Sequence, residues 1–578
     1  MAQPAWPEPA PAAPPAGGGP GPGNAGGDGL AGWCLVLTLA ALFLGLGLRF
    51  WGLTEQGITS WDGALYANVA RTPAMILDWL REHGRWLPGP GDLAAIREHL
   101  AEMGAEYSAQ KAGHLALLAL GFLVFGLKDY APLTVSALCG FGALALTWRL
   151  GRRFFGPLAA VIAVTLLAVS VVMVGYSRSA YPQVDTALAF LAAFYCYLAS
   201  LPGPGQAAGL AKRPLLFTSL FLGIAATLHP SLLSAAGLLL MGEAWLFISA
   251  PRPWPWRLAM KRLGLLACLA PWPALMVEAL MRAALGNGVE TTLGYFVRGG
   301  DTVVASQFRL SLADLWFFPN NFWHLEGPAF ALLVWAGLAW TLWRFARTRQ
   351  AKYLVLAGVP LGQMAFWSLA YTTLKTVTVV YPLLALAAGL LGQALIEAAA
   401  RRRGPGLATL GLVALVGLLA WAGGSRSAPV LQHQNGYRPA VAALVDYMAQ
   451  NGGTFALYDQ SVHAHPPLRF YLGLAKAGLP DGFPGRISFQ PGVHGDYLFI
   501  NDMWLGSQTD APGLLAFMAR EKPVVTMPHL QRFFLPIFKV HRTYLRSGWD
   551  APAPLGPARG YIWIFDKRKL SAPPGFRY

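Results

Sequence analysis

Twelve apolar runs take up most of this chain, at roughly 30–53, 113–127, 131–149, 156–176, 184–201, 214–228, 231–249, 263–284, 327–344, 353–372, 376–398 and 405–423. In lipid every backbone N–H and C=O must be satisfied inside the protein, so runs of this kind have to be helices. Charge usage points the same way: 12% of the 578 residues are charged, against about 25% in a typical soluble chain. The expected fold is therefore a polytopic α-helical membrane protein. Residues 1–29 are Pro, Gly and Ala with almost no charge; they cannot bury a core and read as disordered. They lack the basic start of a cleavable signal peptide, and the run at 30–53 is long for one, so it reads as a retained span.

Five basic clusters set the orientation. They are Arg149, Arg152 and Arg153; Lys212 and Arg213; Arg252, Arg257, Lys261 and Arg262; Arg344, Arg347, Arg349 and Lys352; and Arg401, Arg402 and Arg403. Two apolar runs separate each cluster from the next, so all five share one face, and basic loops favour the cytoplasm. The net charge of +16 is thus explained by loops and needs no nucleic acid. With the start of the chain inside, one run must fail to cross. Only one span fits between the first outside loop and Arg149, and of the two runs there, 113–127 and 131–149, the first has about fifteen residues against the ~20 a span needs, so it reads as lying along the outer surface or re-entering. About eleven spans remain by this length criterion, and the tail 424–578 falls outside. Asp62, Lys111, His114, Arg178, Asp185, His229, His324, Glu326 and Lys375 then share one external face. Ionisable groups at membrane ends are functional candidates, although each can also be a hydrated loop charge.

The first external loop is too long for a plain connection. Helical spacing at Ala64–Glu82 and Asp92–Met103 predicts helices lying in the membrane interface. A second long loop, 285–326, carries Tyr295, Phe296, Trp316, Phe317, Phe318 and Trp323, as an aromatic belt would. The tail has a different pattern. Tyr437–Gln450, Pro467–Ala475 and Gly513–Arg520 read as helices, and Thr454–Tyr458, Tyr497–Ile500, Val524–Met527 and Tyr561–Phe565 as strands. That alternation predicts an external α/β domain over 424–578. It has no phosphate-cradling glycine loop, and His463 with His465 is a weak metal pair because i, i+2 residues face opposite ways on a helix. The four cysteines all lie in apolar runs, with no metal spacing. No metal and no cofactor are expected.

The most telling stretch follows the first span: SWDGALYANVAR, Ser60 to Arg71, which sets Asp62 at the mouth of a helix just outside the membrane. It is followed by YSAQKAGH ending at His114, LGRRFFGPLAA from Leu150, YSRSAYPQVDTALAF from Tyr176 and KTVTVVYPLLALAAG from Lys375. This series resembles membrane glycosyltransferases of the GT-C fold, and most closely the bacterial enzymes related to protein O-mannosyltransferases and the lipid A aminoarabinose transferase. The resemblance runs over about 30–400 and is strongest over 55–200. It implies a GT-C-like transmembrane domain over 30–423, with 54–130 as its first external loop. It also implies a sugar donor linked to a polyprenyl phosphate, and an acidic residue in the first external loop, matched by Asp62. Lys111 matches the lysine of a Lys-Pro-Pro-like element, although Ala112 and Gly113 stand where the prolines would be. Gly63 occupies the place of a second acidic residue, and no arginine falls within Tyr130–Ala137, where many relatives have one.

The chemistry is compatible. Transfer from a lipid phosphate needs a base for the acceptor hydroxyl, cations for the leaving phosphate and a scaffold holding both partners in line. Asp62 is the expected catalytic base of an inverting transfer at the periplasmic face of a bacterial cytoplasmic membrane. Lys111, His114, Arg178, Asp185, His229, Glu326 and Lys375 are the expected substrate-binding residues. Asp185 would orient Lys111 or Arg178, or else pair with Arg178 to fix two span ends. Tyr66 and Arg71 either line the site or pack the interfacial helix. The partners expected are the donor, membrane lipids, and a lipid, glycan or protein acceptor. A transporter or flippase of lipid-linked saccharides is the alternative; it would show inverted repeats and midplane charges, whereas the charges here sit mostly at span ends. A membrane assembly protein would explain the tail but not the Asp62 loop.

Overall fold

A computed structural model of the chain describes residues 25–58, 61–89, 91–105, 111–202, 209–229, 232–250, 255–285, 316–370, 374–432, 435–459, 465–501, 511–531 and 558–571. The expectations for most of 1–29, for Tyr295 and Phe296 and for His463 lie outside the described residues. All eleven segments expected to span are helical where described. Among the described residues, seven helices are long and apolar enough to cross a membrane: Gly32–Gln56, Tyr130–Phe154, Gln183–Ser200, Trp256–Val277, Pro328–Thr348, Lys375–Arg403 and Pro405–Leu431. The count becomes eight if the bent pair Pro157–Val169 and Val171–Ser177 is one span. The other three expected spans, at Lys212–Leu228, Leu232–Ile248 and Ala351–Ala370, are helices that fall short of that test. Ala112–Phe125 has only 14 residues, and its Phe122 packs against Phe470 of the tail.

A break in the fourth apolar run, at Ser170, organises the helices around it. Ser170 is extended, and the two helical pieces meet at 62°. A break at membrane depth frees backbone groups that water does not reach, and each must find a partner. Polar side chains from three distant segments provide them. Fully buried Arg49 donates to the Leu167 and Ala168 carbonyls at 3.2 and 3.1 Å. Ser427 donates to the Val169 carbonyl at 2.6 Å. On the far side, Glu326 accepts from the Val171 and Val172 N–H groups at 2.9 and 3.1 Å, and from the Ser170 hydroxyl at 2.7 Å. The Ser170 oxygen in turn caps Met173 N–H.

The redirected piece ends at Arg178, which is also fully buried. Its guanidinium donates to the Leu48, Arg49 and Trp51 carbonyls at 3.3, 3.2 and 2.8 Å, and to Gln56 Oε1 at 2.9 Å. It thus satisfies the carbonyl end of the first span. A helix end has four such orphan carbonyls, and a cation there also complements the helix dipole.

The tail contains the expected helices at Tyr437–Asn451, His465–Ala477 and Ala511–Arg520. Strands β1 (Gly453–Ala456) and β2 (Gly485–Ser488) form a parallel pair. Strands β3 (Tyr497–Asn501), β4 (Val525–Gln531) and β5 (Ala558–Asp566) form an antiparallel sheet with β5 in the centre. Four of these strands fall where the alternation predicts them. β2 was not expected, and the strand expected over Thr454–Tyr458 ends at Ala456 in a 3-10 turn.

The tail packs into the loop that follows the first span. Leu53, Ile58, Ala67, Leu118 and Phe122 share one buried core with Tyr437, Leu444, Leu468, Phe470 and Leu472. Buried polar groups fix the register of that contact. Arg71 donates to the Phe470, Met103 and Gly104 carbonyls at 3.1–3.2 Å, and Asn68 donates to the Pro466 carbonyl at 2.9 Å. The Tyr471 hydroxyl accepts from Ile58 N–H at 2.7 Å and donates to Asp129 at 3.2 Å. Arg71 lies against the backbone at Gly473, where a Cβ would collide with both guanidinium nitrogens. Gly473→Ala is therefore expected to dislodge Arg71 and loosen the tail. Limited proteolysis should then cut at the 435–477 segment faster than in the parent, with the membrane helices still intact by circular dichroism.

Candidate active site

Asp62 lies in the first turn of the Trp61–Ala70 helix, where the helix dipole favours an acidic side chain. Its carboxylate meets Lys375 Nζ at 2.5 Å, although the two residues are 313 positions apart. Both side chains keep partial access to solvent, at 26% for Asp62 and 21% for Lys375. The Lys375 ammonium also rests 4.8 Å above the Tyr181 ring.

Tyr66 lies one helical turn after Asp62, on the same face. Its hydroxyl accepts a hydrogen bond from Lys111, whose ammonium sits 4.5 Å over the ring. Lys111 leads into the Ala112–Phe125 helix with φ 57° and ψ 43°, the left-handed region that side chains other than glycine seldom enter. Desolvation pulls its pKa down to about 8, Asp62 opposes that shift, Lys375 adds to it and Asp185 opposes it. Lys111 is therefore a cation near neutral pH that can lose its charge just above it.

One turn further on, His114 Nδ1 lies 2.7 Å from Asp185 Oδ2, and Nε2 lies 3.1 Å from the Ala180 carbonyl. The other Asp185 oxygen accepts Thr186 N–H at 2.9 Å. The His114 ring meets Tyr66 edge-on at 5.3 Å, and the Tyr66 and Tyr181 rings are 6.3 Å apart. His229 completes the group at the end of the Lys212–Leu228 helix. Burial first, and then the nearby Lys111, Lys375 and His114, hold its pKa well below the usual imidazole range.

Six of the eight expected residues thus gather in one place: Asp62, Lys111, His114, Asp185, His229 and Lys375. Arg178 and Glu326 do not join them; the hydrogen bonds they make go to the helix ends described above. Asp185 orients His114 rather than Lys111 or Arg178. Arg71 clamps the tail. Tyr181 had no place in the sequence reading. Its signal was available, since it lies four residues before Asp185 inside a stretch already singled out.

An acid, two lysines and two tyrosine rings thus meet at the ends of several helices. The resemblance to the GT-C fold drawn from the sequence is borne out at the level of fold. Residues 113–276 match the family described as dolichyl-phosphate-mannose-protein mannosyltransferase. The chain is similar to ArnT from Cupriavidus metallidurans in a structure bound to undecaprenyl phosphate, at 15% identity and a TM-score of 0.53, covering 94% of this chain and 99% of that one. The apo state of the same protein aligns at 15% identity and a TM-score of 0.51, covering 92% and 98%. The apo oligosaccharyltransferase of Archaeoglobus fulgidus aligns at 11% identity and a TM-score of 0.53, covering 83% and 71%. No curated protein matches the sequence.

The left-handed backbone at Lys111 costs a residue with a side chain roughly 1–2 kcal/mol. A glycine there relieves the strain and deletes the cation. Lys111→Gly should unfold at or above the temperature of the parent. A clear loss of thermal stability would mean that the Lys111 side chain holds the fold together.

Proposed function

We propose that this protein transfers a sugar from a polyprenyl-phosphate donor to an acceptor at the outer face of the cytoplasmic membrane, with inversion and with Asp62 as base. The observation that carries the proposal is the contact of Asp62 with Lys375, with Lys111 beside them. Undecaprenyl phosphate in the similar ArnT structure supports the donor class. In this reading the donor phosphate enters between Lys111 and Lys375 and draws Lys375 away from Asp62. The freed carboxylate takes the proton of the acceptor hydroxyl. The acceptor oxygen then bonds to the anomeric carbon as the bond from that carbon to phosphate oxygen breaks, and its electron pair leaves on the phosphate. The two ammonium groups stabilise that charge in a site of reduced water access. Asp185 is engaged by His114 and Thr186, which leaves one carboxylate for chemistry; an inverting displacement needs one base, whereas a retaining route uses a nucleophile as well.

Tyr66, Tyr181, His114 and Asp185 position the two lysines in this scheme, and Arg178 and Glu326 serve the fold. The topology that fits is about eleven spans by length, a transmembrane domain over 30–423 and a periplasmic tail over 424–578. The acceptor is a lipid, a glycan or a protein.

Purified protein incubated with polyprenyl-phosphate sugars and a panel of acceptors tests the activity. Asp62→Asn should lose about 10²–10⁴-fold in turnover while keeping its fold; parental turnover in that variant would remove Asp62 from the chemistry. A pH profile tests the cations separately. The charge of Lys111 is present below about 8 and lost as pH rises through that value, so donor use should fall on the alkaline side. Lys111→Arg should move that limb to higher pH, because the guanidinium stays charged. An unmoved limb would assign the titration to another group.

A further inference from the structure

A second place on the outer half of the molecule carries opposite charges that do not touch. A cavity of about 120 Å³ lies between the Pro157–Val169, Pro328–Thr348 and Pro405–Leu431 helices, lined among others by Ser170, Glu326, Gly327, Leu419 and Arg426. It sits at the ends of the latter two spans opposite their arginine-rich ends, Arg344–Arg349 and Arg401–Arg403. The outward faces of those spans are apolar: Leu332 on one, and Leu410, Leu418 and Trp421 on the other, are 55–72% exposed. Exposure of that kind on spanning helices faces lipid tails.

Glu326 is 6% exposed. Its carboxylate has three donors, Ser170, Val171 and Val172, of the roughly four that a carboxylate accepts. Among the described residues no cation lies within ion-pair distance of it. Burial pushes its pKa up to about 7, against the pull of those donors and of Arg426, as expected for an anion short of a counter-ion. Arg426 lines the same cavity. It donates to the His324 carbonyl at 3.1 Å, and its guanidinium lies over Gly327, where a Cβ would come within 2.7 Å of Nε. A buried carboxylate and a guanidinium thus share one cavity with a gap between them.

We propose that this cavity binds the headgroup of a zwitterionic phospholipid bearing a primary ammonium, with the ammonium on Glu326, the phosphate on Arg426 and the acyl chains along Leu418 and Trp421. The cavity, at about 120 Å³, has room for a small polar headgroup beside Glu326. A primary ammonium donates hydrogen bonds to the carboxylate. A quaternary ammonium has no N–H to donate and is larger, and an anionic glycerol headgroup offers Glu326 only neutral hydroxyls and no positive charge. Interfacial tryptophan and arginine at the headgroup level are the usual lipid-facing arrangement, whereas a buried carboxylate beside them is not.

The test needs no sugar transfer, so its outcome is separate from that of the proposed activity. The purified full-length protein is exchanged into nanodiscs or mixed micelles containing phosphatidylethanolamine, phosphatidylcholine or phosphatidylglycerol. Native mass spectrometry counts the retained lipid, and thermal unfolding reads the stabilisation that binding confers. Phosphatidylethanolamine should be retained and should raise the unfolding temperature above the other two. Arg426→Leu, which leaves the helix cap of Glu326 intact, should weaken that retention about tenfold, the equivalent of one charge-assisted hydrogen bond. Glu326→Gln should abolish the discrimination between ethanolamine and choline headgroups. Equal retention of the three lipids, a preference for phosphatidylglycerol, undiminished retention in Arg426→Leu, or an undiminished ethanolamine preference in Glu326→Gln would each overturn the proposal.

Discussion

The architecture of this protein depends on the way the helix break at Ser170 is satisfied. Inside a membrane an interrupted helix exposes carbonyls and N–H groups to a medium that cannot solvate them, and each costs several kcal/mol if left alone. Here Arg49, Ser427 and Glu326 converge on the break from three other segments and take up the freed groups. The same constraint explains why an arginine can sit fully buried among apolar helices. Its donors answer carbonyls that would otherwise have none.

The break turns the chain so that Val171–Ser177 and the turn after it approach the Trp61–Ala70 helix. That turn presents Tyr181 beneath Lys375 and the Ala180 carbonyl to His114, and it leads into the helix that carries Asp185. The site is thus assembled around backbone geometry that regular helices alone would not supply. Its two lysines are held by soft contacts, a tyrosine ring beneath each and an anion or hydroxyl at the tip. Such contacts are individually worth about 1 kcal/mol, little enough for a bound phosphate to draw the ammonium groups over. By contrast, the His114–Asp185 contact is buried and fixed at both ends.

The tail is tied to the same assembly from above. Arg71, Asn68, Tyr471 and Asn435 knit it to the loop whose first helix carries Asp62, and the hydrophobic core of the loop continues into it. The Trp61–Ala70 helix is short and could not be held rigid by its own hydrogen bonds, since isolated helices under about a dozen residues are marginal. Packing on Ala112–Phe125 below and His465–Ala477 above gives it a fixed place, and through it fixes Asp62.

The sequence by itself determined the elements and the cast of residues. Long apolar runs can only be helices in lipid, an alternating tail makes strands and helices, and Asp62 at the start of a helix after the first span follows from local order. It also grouped Asp62, Lys111, His114, Asp185, His229 and Lys375, because charge counting in the loops assigned all of them to one face. Only the tertiary structure decided what each charged group does there. Arg178 and Glu326 have the same sequence credentials as Lys375 and Asp62. Yet the acceptors of Arg178 are carbonyls about 130 positions away, and the donors of Glu326 are N–H groups about 155 positions away. Whether a charge meets a helix end or an open pocket is set by long-range packing, and no local pattern encodes it. The same holds for Tyr181, an ordinary aromatic near a span end until the bend at Ser170 carries it beneath Lys375, a residue from a distant span.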